Sequence, residues 1–142
     1  FSQGKMTVDG ITLDPASVTV PCYFQSSKED HIAPHRSVYN SSKLFSGPCR
    51  FMVGGSGHIA GVVNPPSANK YMYWTNRDED VDTIEQWWEG AKETAGSWWP
   101  EWNEWLMQYA GKEVAPRIPG AGKYKALEDA PGSYVKVRSD SA

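Results

Sequence analysis

The sequence predicts an α/β fold, because two apolar, β-rich segments flank a helical one. Residues 18–25 and 49–53 have the composition of strands that are buried on both faces of a parallel sheet. Residues 34–44 lie between them and begin with a proline, which suits a first helical turn. A strand–helix–strand crossover makes its two strands parallel. We therefore expect the loops at their carboxyl ends at one edge of the sheet, where open α/β sheets place their sites.

The first half of the chain gives a hairpin, a strand, a helix and a second strand, in that order. Residues 6–13 are expected to form the hairpin around an Asp-Gly turn. The strand at 18–25 includes Pro21, which has no N–H to donate to a ladder. The helix at 34–44 is expected to direct three side chains inward: Val38, Leu44 and Phe45.

The second half of the chain is predicted to be helical and then irregular. A helix is expected at residues 82–94, and a second should begin around residues 96–100 and end before Gly111. From Ala115 onward proline and glycine recur, which favours an extended tail, and residues 133–138 have the pattern of a terminal strand. The inward-facing residues of the first helix are expected to be Ile84, Trp87, Trp88 and Ala91.

Length and charge restrict the class of protein. All 142 residues are assigned to one domain, with a core at 5–64, a Trp-rich helical region at 82–111 and a tail at 115–142. The formal net charge of −3 provides no basic footprint for nucleic acid, and no polybasic run faces an anionic membrane. No apolar run is long enough for a transmembrane segment, and residues 1–5 do not resemble a signal peptide. Because the chain begins with Phe1 and not with methionine, we expect it to be part of a longer protein.

A carboxylate and an imidazole follow the two predicted parallel strands. Asp30 comes after the first strand, and His58 lies in a glycine-rich segment after the second. A carboxylate that orients an imidazole allows the ring to take a proton from a thiol or hydroxyl. In α/β-hydrolases the triad runs nucleophile, acid, histidine, each at a strand end. Here the acid and the histidine occur in that order without a nucleophile elbow before them, which predicts the rear part of such a catalytic domain.

Two other interpretations of the glycine-rich segment are weaker. A nucleophile at Ser56 would need G-x-S-x-G, but the last position is His58. Residues 55–60 also match the dinucleotide fingerprint G-x-G-x-x-A. That fingerprint requires a helix to begin in the loop and hold the pyrophosphate, and Pro65 and Pro66 would cut such a helix short.

The remaining thiols and histidines carry less signal. Cys22 and Cys49 lie in or at the start of apolar strands, so we expect buried structural thiols in a reducing compartment. His31 could line a substrate site beside Asp30, and His35 is expected simply to start a helix. No H-E-x-x-H motif or cysteine pair supports a metal site.

A stripe of aromatic residues marks the second helix. Its members are four, three and four residues apart, which places them on one helical face: Trp98, Trp102, Trp105 and Tyr109. We expect this stripe to pack on the body of the domain. The alternative is an exposed surface for a hydrophobic partner or polymer.

Several segments together resemble the C-terminal part of a class I polyhydroxyalkanoate (poly-3-hydroxybutyrate) synthase. The resemblance extends from about Lys5 to Arg138. Its most specific segments are E-D-H-I-A-P at 29–34, S-G-H-I-A-G at 56–61 with N-P-P at 64–66, Y-W-T-N at 73–76, G-S-W-W-P-E-W at 96–102 and A-P-G-S-Y-V-K at 130–136.

The resemblance implies the C-terminal portion of an α/β-hydrolase fold and an acyltransferase with a Cys-Asp-His triad. Such synthases polymerise (R)-3-hydroxyacyl-CoA, release coenzyme A and hold the growing polyester on the cysteine. The matching residues imply that His58 is the base and Asp30 the acid. The thioester is the substrate, so no cofactor is implied. The resemblance further implies a cytoplasmic protein associated with polyester granules, with a homodimer as its full-length form.

The sequence departs from the family in two respects. No G-x-C-x-G is present, so the nucleophile is expected upstream, and the chain alone is expected to be inactive. His35 stands where the family more often has tryptophan. Two alternatives remain open: a non-catalytic module that binds polymer, granule or a second subunit, and the C-terminal part of a related esterase or depolymerase.

Overall fold

The computed structural model describes residues 1–78 and 81–141. Six strands and three α-helices are present in this part of the chain. They are β1 (Met6–Val8), β2 (Ile11–Leu13), β3 (Cys22–Ser27), α1 (His35–Ser42), β4 (Cys49–Gly54), β5 (Met72–Thr75), α2 (Ile84–Glu89), β6 (Lys92–Ala95) and α3 (Trp99–Met107). By its contacts the chain divides into two units, Phe1–Tyr109 and Ala110–Ala142.

The predicted N-terminal hairpin is confirmed. β1 pairs antiparallel with β2, and Val8 faces Ile11 across the turn. Asp9 and Gly10 have φ angles of 49° and 78°. Two positive φ values are what a two-residue turn of the type I′ class requires, which explains the Asp-Gly pair.

The predicted parallel pair of strands is also confirmed. β3 and β4 run parallel, from Cys22 opposite Cys49 to Ser27 opposite Gly54. β3 begins four residues later than predicted. Pro21 has no N–H, and the first bond of this ladder is donated by the Cys22 N–H to the Pro48 carbonyl at 2.9 Å.

Two strands extend the sheet beyond what the sequence predicted. The order is β3-β4-β5-β6, and both added strands pair antiparallel. The predicted helix at 82–94 is wrong in its second half. α2 begins with a capping box formed by Thr83 and Gln86, ends at Glu89 with Gly90 as its C-cap, and is followed by β6. Pairing with β5 therefore overrides the helical propensity of residues 92–95.

Apolar side chains cover both faces of the sheet. Phe51 and Val53 of β4 belong to a cluster that includes residues of α1 and α2, while Met52 between them packs with Tyr73 and Trp98 on the opposite face. This alternation is the period of a strand that is buried on both sides. The first cluster comprises Tyr39, Phe51, Val53, Trp74, Ile84 and Trp87.

The aromatic stripe of α3 packs on the sheet only in part. Trp98 stacks on Tyr23 of β3 with ring centroids 6.1 Å apart, and Trp105 meets the same ring edge-on at 5.3 Å. Trp102 and Tyr109 remain 39% and 52% exposed. The predicted packing is therefore confirmed for half of the stripe.

The second unit contains turns and short 3-10 segments. The strand predicted at 133–138 is wrong, because Tyr134–Lys136 form a 3-10 turn closed by local bonds. Glu128 accepts hydrogen bonds from the N–H and hydroxyl of Ser133, which holds the start of this turn. None of the helices in the described ranges has the length and apolar character to cross a bilayer.

Candidate active site

The two parallel strands deliver Asp30 and His58 to one edge of the sheet. Asp30 lies three residues beyond the end of β3, and His58 lies four residues beyond the end of β4. The loops stay paired after the strands end, since the Lys28 N–H donates to Gly54 and the Glu29 N–H donates to Ser56. The imidazole Nδ1 of His58 is 2.7 Å from Oδ2 of Asp30. The structure thus brings together the pair that the sequence predicted.

The Asp30 carboxylate is held at both oxygens. Oδ1 accepts hydrogen bonds from the backbone N–H groups of Ile32 and Ala33 at 2.8 and 2.9 Å, while Oδ2 faces His58. The Asp30 side chain is only 6% exposed. Because one oxygen is fixed by the backbone, the other has a defined direction toward the imidazole.

These bonds favour the ionised carboxylate. The backbone hydrogen bond from Ala33, followed by the contact with His58, lowers the pKa of Asp30 to about 2. Each of these donors stabilises the charged form more than the neutral one. Asp30 is therefore an anion over the whole physiological range, as a group that orients a histidine must be.

The His58 ring is presented to the exterior. Its side chain is 47% exposed, in contrast to its partner. With Nδ1 directed at the carboxylate, Nε2 is the nitrogen that can take a proton from an approaching group. The pair thus has the geometry of a general base with its orienting acid.

Close packing by glycine holds the histidine loop. The Gly61 N–H donates to the Gly57 carbonyl at 2.9 Å, which closes a turn around His58. A Cβ on Gly61 would lie 2.7 Å from Ser27 Cβ and 2.8 Å from the Gly55 carbonyl oxygen. Only glycine fits where this loop crosses the end of β3.

A largely apolar cavity adjoins the pair, with a volume of about 370 Å³. Ser26 is 4% exposed, and its hydroxyl has no hydrogen-bond partner among the described residues. A buried hydroxyl without a partner is unfavourable unless a bound group satisfies it. The residues that line the cavity are Gln25, Ser26, Asp30, Ala33, Val38, His58, Ile59, Val62 and Val63.

The other histidines are not brought into the pair. His31 is exposed and does not line the cavity beside Asp30, so the structure lends its predicted substrate contact no support. His35 is the first residue of α1, as expected, and meets Trp88 edge-on at 5.7 Å. Burial lowers the pKa of His35.

The alternatives raised for the glycine-rich segment find no structural support. Ser56 has a φ of 72°, but no helix follows it before β5, as both a nucleophile elbow and a dinucleotide site would require. Cys22 and Cys49 lie at the opposite ends of their strands from the pair, and they are half-buried where full burial was expected. Among the described residues, no group of three His, Cys, Asp or Glu is placed to hold a metal ion.

Sequence reasoning missed two residues of the site. Ser26 gave no signal, because its burial and its lack of a partner depend on α1 and on the loop at 59–63. Gly61 carries a sequence signal only as the last residue of the segment at 56–61. Its role could have been suspected from the expected proximity of the two strand ends, where one loop must cross the other closely.

Comparison with known proteins shows similarity over almost the whole chain. Poly(3-hydroxyalkanoate) polymerase subunit PhaC of Cupriavidus necator is 49% identical over 137 residues, which are 96% of this chain and 23% of that protein. The corresponding subunits of Rhizobium etli and Rhizobium meliloti are 46% and 48% identical over 139 residues, 98% of this chain and 22% of each of them. No family model matches the chain.

The chain therefore spans less than a quarter of the length of these curated relatives. Over that span the identity is far above what chance gives, and it includes both strands that deliver the pair. Almost the entire chain is homologous to a segment of the poly(3-hydroxyalkanoate) polymerases, and the predicted resemblance to polyhydroxyalkanoate synthases is confirmed.

Proposed function

We propose that this chain is the C-terminal segment of the α/β-hydrolase catalytic domain of a polyhydroxyalkanoate synthase. In this proposal it supplies the acid and the base of a Cys-Asp-His triad, and the cysteine comes from residues outside these 142. The observation that carries the proposal is the 2.7 Å contact between His58 Nδ1 and Asp30 Oδ2 at the shared edge of β3 and β4. The similarity to the polymerases supports it independently.

The first step would acylate the nucleophile. His58 takes the proton of the cysteine thiol at Nε2, and the thiolate attacks the carbonyl carbon of an (R)-3-hydroxyacyl-CoA thioester. Coenzyme A leaves as its thiolate and receives the proton back from the imidazolium. Asp30 remains ionised throughout and stabilises the imidazolium through Oδ2.

The second step would lengthen the polyester. The same imidazole removes the proton from the 3-hydroxyl of an incoming hydroxyacyl-CoA, and the oxygen attacks the thioester that joins the growing chain to the cysteine. The cysteine leaves as its thiolate and recovers the proton from the imidazolium, and the lengthened chain is carried by coenzyme A until the first step returns it to the cysteine. One base serves both steps because each begins with the removal of a proton from a weak acid. The substrate supplies the coenzyme A, so this chemistry requires no further cofactor.

The cavity beside the pair suits an acyl group. Its walls include Val38, Val62 and Val63, and the Ser26 hydroxyl is the polar group in it without a partner. An ester or thioester carbonyl lying there would accept that hydrogen bond while its alkyl part contacts the valines. We propose the cavity as a contact surface for the hydroxyacyl unit.

A graft tests the proposal. Residues 5–138 replace the matched segment of the Cupriavidus necator polymerase, and coenzyme A release from 3-hydroxybutyryl-CoA is followed. The graft should be active, and His58→Ala should lower turnover by several orders of magnitude, because triad members act as a unit. Asp82→Asn, a change at an exposed carboxylate before α2, is the control. A fully active His58→Ala graft would remove this residue from the base role.

A second candidate function is a binding module, which the half-exposed face of α3 favours. Trp102, Leu106 and Met107 of α3 are 37–58% exposed, and Tyr109, two residues beyond the end of the helix, is 52% exposed. Such a surface fits contact with polyester, with the granule surface or with the second subunit of a homodimer. In this proposal the protein is cytoplasmic and bound to granules. Substitutions on this exposed surface in the graft, such as Met107→Ser, should then reduce the fraction of the protein that sediments with granules. The initial rate of coenzyme A release should stay unchanged.

A further inference from the structure

The two cysteines of the chain face each other across neighbouring strands. Cys22 is the first residue of β3, Cys49 is the first residue of β4, and the register pairs them directly. Neighbouring strands lie about 4.7–4.9 Å apart. Disulfide-bonded cysteines have their Cα atoms about 4.4–6.8 Å apart. The backbone therefore already holds the two residues at a separation that a disulfide accepts.

Both side chains lie on the same face of the sheet. Two residues further along, Phe24 pairs with Phe51, and both contact the apolar cluster that includes residues of α1. Since side chains alternate with a period of two, Cys22 and Cys49 share that face. Each thiol also lies 3.4 Å from the carbonyl oxygen two residues before it in the chain, Val20 for Cys22 and Gly47 for Cys49, and the Cys49 thiol is equally far from the Ser42 carbonyl oxygen of α1.

The pair sits where the ladder begins. Pro21 and Pro48 immediately precede the two cysteines, and neither proline has an N–H to extend the pairing. Local movement at the end of a ladder costs less than movement within it.

The pair is also within reach of a reagent. Both cysteines are half-buried, and Cys49 lines a cavity of about 490 Å³. Lys43, Arg77 and Asp78 line the same cavity. Cys49 is therefore the thiol that a small disulfide can reach through this cavity.

We propose that Cys22 and Cys49 form a reactive dithiol that a low-molecular-weight disulfide such as glutathione disulfide oxidises to an intramolecular disulfide. The Cys49 thiolate attacks one sulfur of glutathione disulfide, which forms a mixed disulfide and releases the first glutathione. The Cys22 thiolate then attacks the Cys49 sulfur, the Cys22–Cys49 bond forms, and the second glutathione leaves. The two protein thiols lose two electrons and two protons, and both glutathione thiols gain them.

The modification would act at a distance from the proposed base. β3 and β4 are six residues long, so the dithiol lies about 20 Å from the edge that carries Asp30 and His58. The bond would tie the first residues of the two strands and close the segment that contains α1 into a loop. This inference depends only on register and exposure, and holds whether or not the chain takes part in polyester synthesis.

The test measures the intramolecular disulfide in the full chain. The protein is equilibrated with glutathione buffers of graded oxidation, quenched in acid, alkylated and analysed by intact mass and peptide mapping. In native buffer we expect a species that lacks two hydrogens, carries no alkyl group and yields a Cys22–Cys49 cross-linked peptide. The equilibrium constant for formation of the internal disulfide from the dithiol and glutathione disulfide should be about tenfold or more larger in native buffer than in urea. In the unfolded chain a flexible loop gives one thiol only a millimolar effective concentration near the other.

Two variants define the control. Cys22→Ser and Cys49→Ser should form only the mixed disulfide with glutathione, and each replaces one thiol with a hydroxyl at a half-buried strand end. An equal equilibrium constant in native buffer and in urea would overturn the proposal. So would a native chain that accumulates two bound glutathiones, or covalent dimers, in place of the internal bond.

Discussion

Adding one methyl group at Gly61 should disable the proposed base without touching His58 or Asp30. The new Cβ would collide first with the Ser27 hydroxyl oxygen and would lie 2.7 Å from Ser27 Cβ, whereas ordinary contact begins at 3.4 Å, so the loop must retreat by at least about 0.7 Å. Gly61 closes the turn around His58 by its bond to Gly57. The retreat therefore lengthens the 2.7 Å contact between the imidazole and Asp30.

The size of the effect follows from this displacement. Overpacking of this kind costs about 1–3 kcal/mol of folding free energy. A misplacement near 1 Å in a catalytic group lowers the rate by roughly 100-fold, so we expect Gly61→Ala to lower coenzyme A release by the graft between about tenfold and 100-fold. Denaturant unfolding of the same protein measures the stability cost separately.

Gly57→Ala is the matched control, because a Cβ there meets nothing closer than the Glu29 carbonyl oxygen at 4.0 Å. It adds the same methyl group at the other end of the same turn. If the Gly61→Ala graft is as active as the Gly57→Ala graft, the close packing of Gly61 does not position the histidine and the reasoning is refuted.

Three further predictions follow from the contacts. Glu101 accepts hydrogen bonds from Arg50 at 2.6 and 3.0 Å, and both side chains are under 20% exposed. Glu101→Gln should therefore lower the free energy of unfolding, measured in urea, by about 1–3 kcal/mol. Glu85→Gln, whose partner Arg36 is exposed, should lower it by less than about 1 kcal/mol. The Asp30 carboxyl should titrate near pH 2 by NMR. Because this pKa lies below the ordinary value of 3.8, its contribution to stability is present above about pH 4 and is lost as the pH falls toward 2; an ordinary titration would contradict the hydrogen bonds from Ala33 and His58. The chain alone should release no coenzyme A from 3-hydroxybutyryl-CoA, and release by it would contradict an external nucleophile.

The predictable part of the fold rests on local signals. The Asp-Gly turn, the two apolar runs and the proline before α1 each have one dominant physical cause, and the crossover rule orders them into parallel strands. The contact between Asp30 and His58 then follows from adjacency alone, since adjacent parallel strands end at one edge.

The unpredicted part depends on partners distant in the sequence. β5 is only four residues long, and Lys92–Ala95 is polar and mostly exposed, so neither has a strong pattern of its own. β5 becomes a strand because the edge of β4 is available for pairing, and β6 becomes one because β5 then offers its own free edge. The same holds for Ser26, whose environment is created by α1 and by the loop after β4.

The exposed part of the aromatic stripe on α3 shows a second limit of prediction from sequence. Trp98 and Trp102 lie on one helical face, yet the first is 7% exposed and the second 39%. Periodicity predicts which residues share a face, whereas their burial depends on how far Tyr23 and its neighbours extend beneath that face.

The most direct test of the central claim is a double-mutant cycle on Asp30 and His58 in the graft, with single-turnover release of coenzyme A as the readout. If the two residues form one catalytic unit, Asp30→Asn should lower the rate strongly on its own and add almost nothing once His58→Ala is present. Independent, multiplicative losses from the two substitutions would contradict the account, because the 2.7 Å contact would then have no part in catalysis.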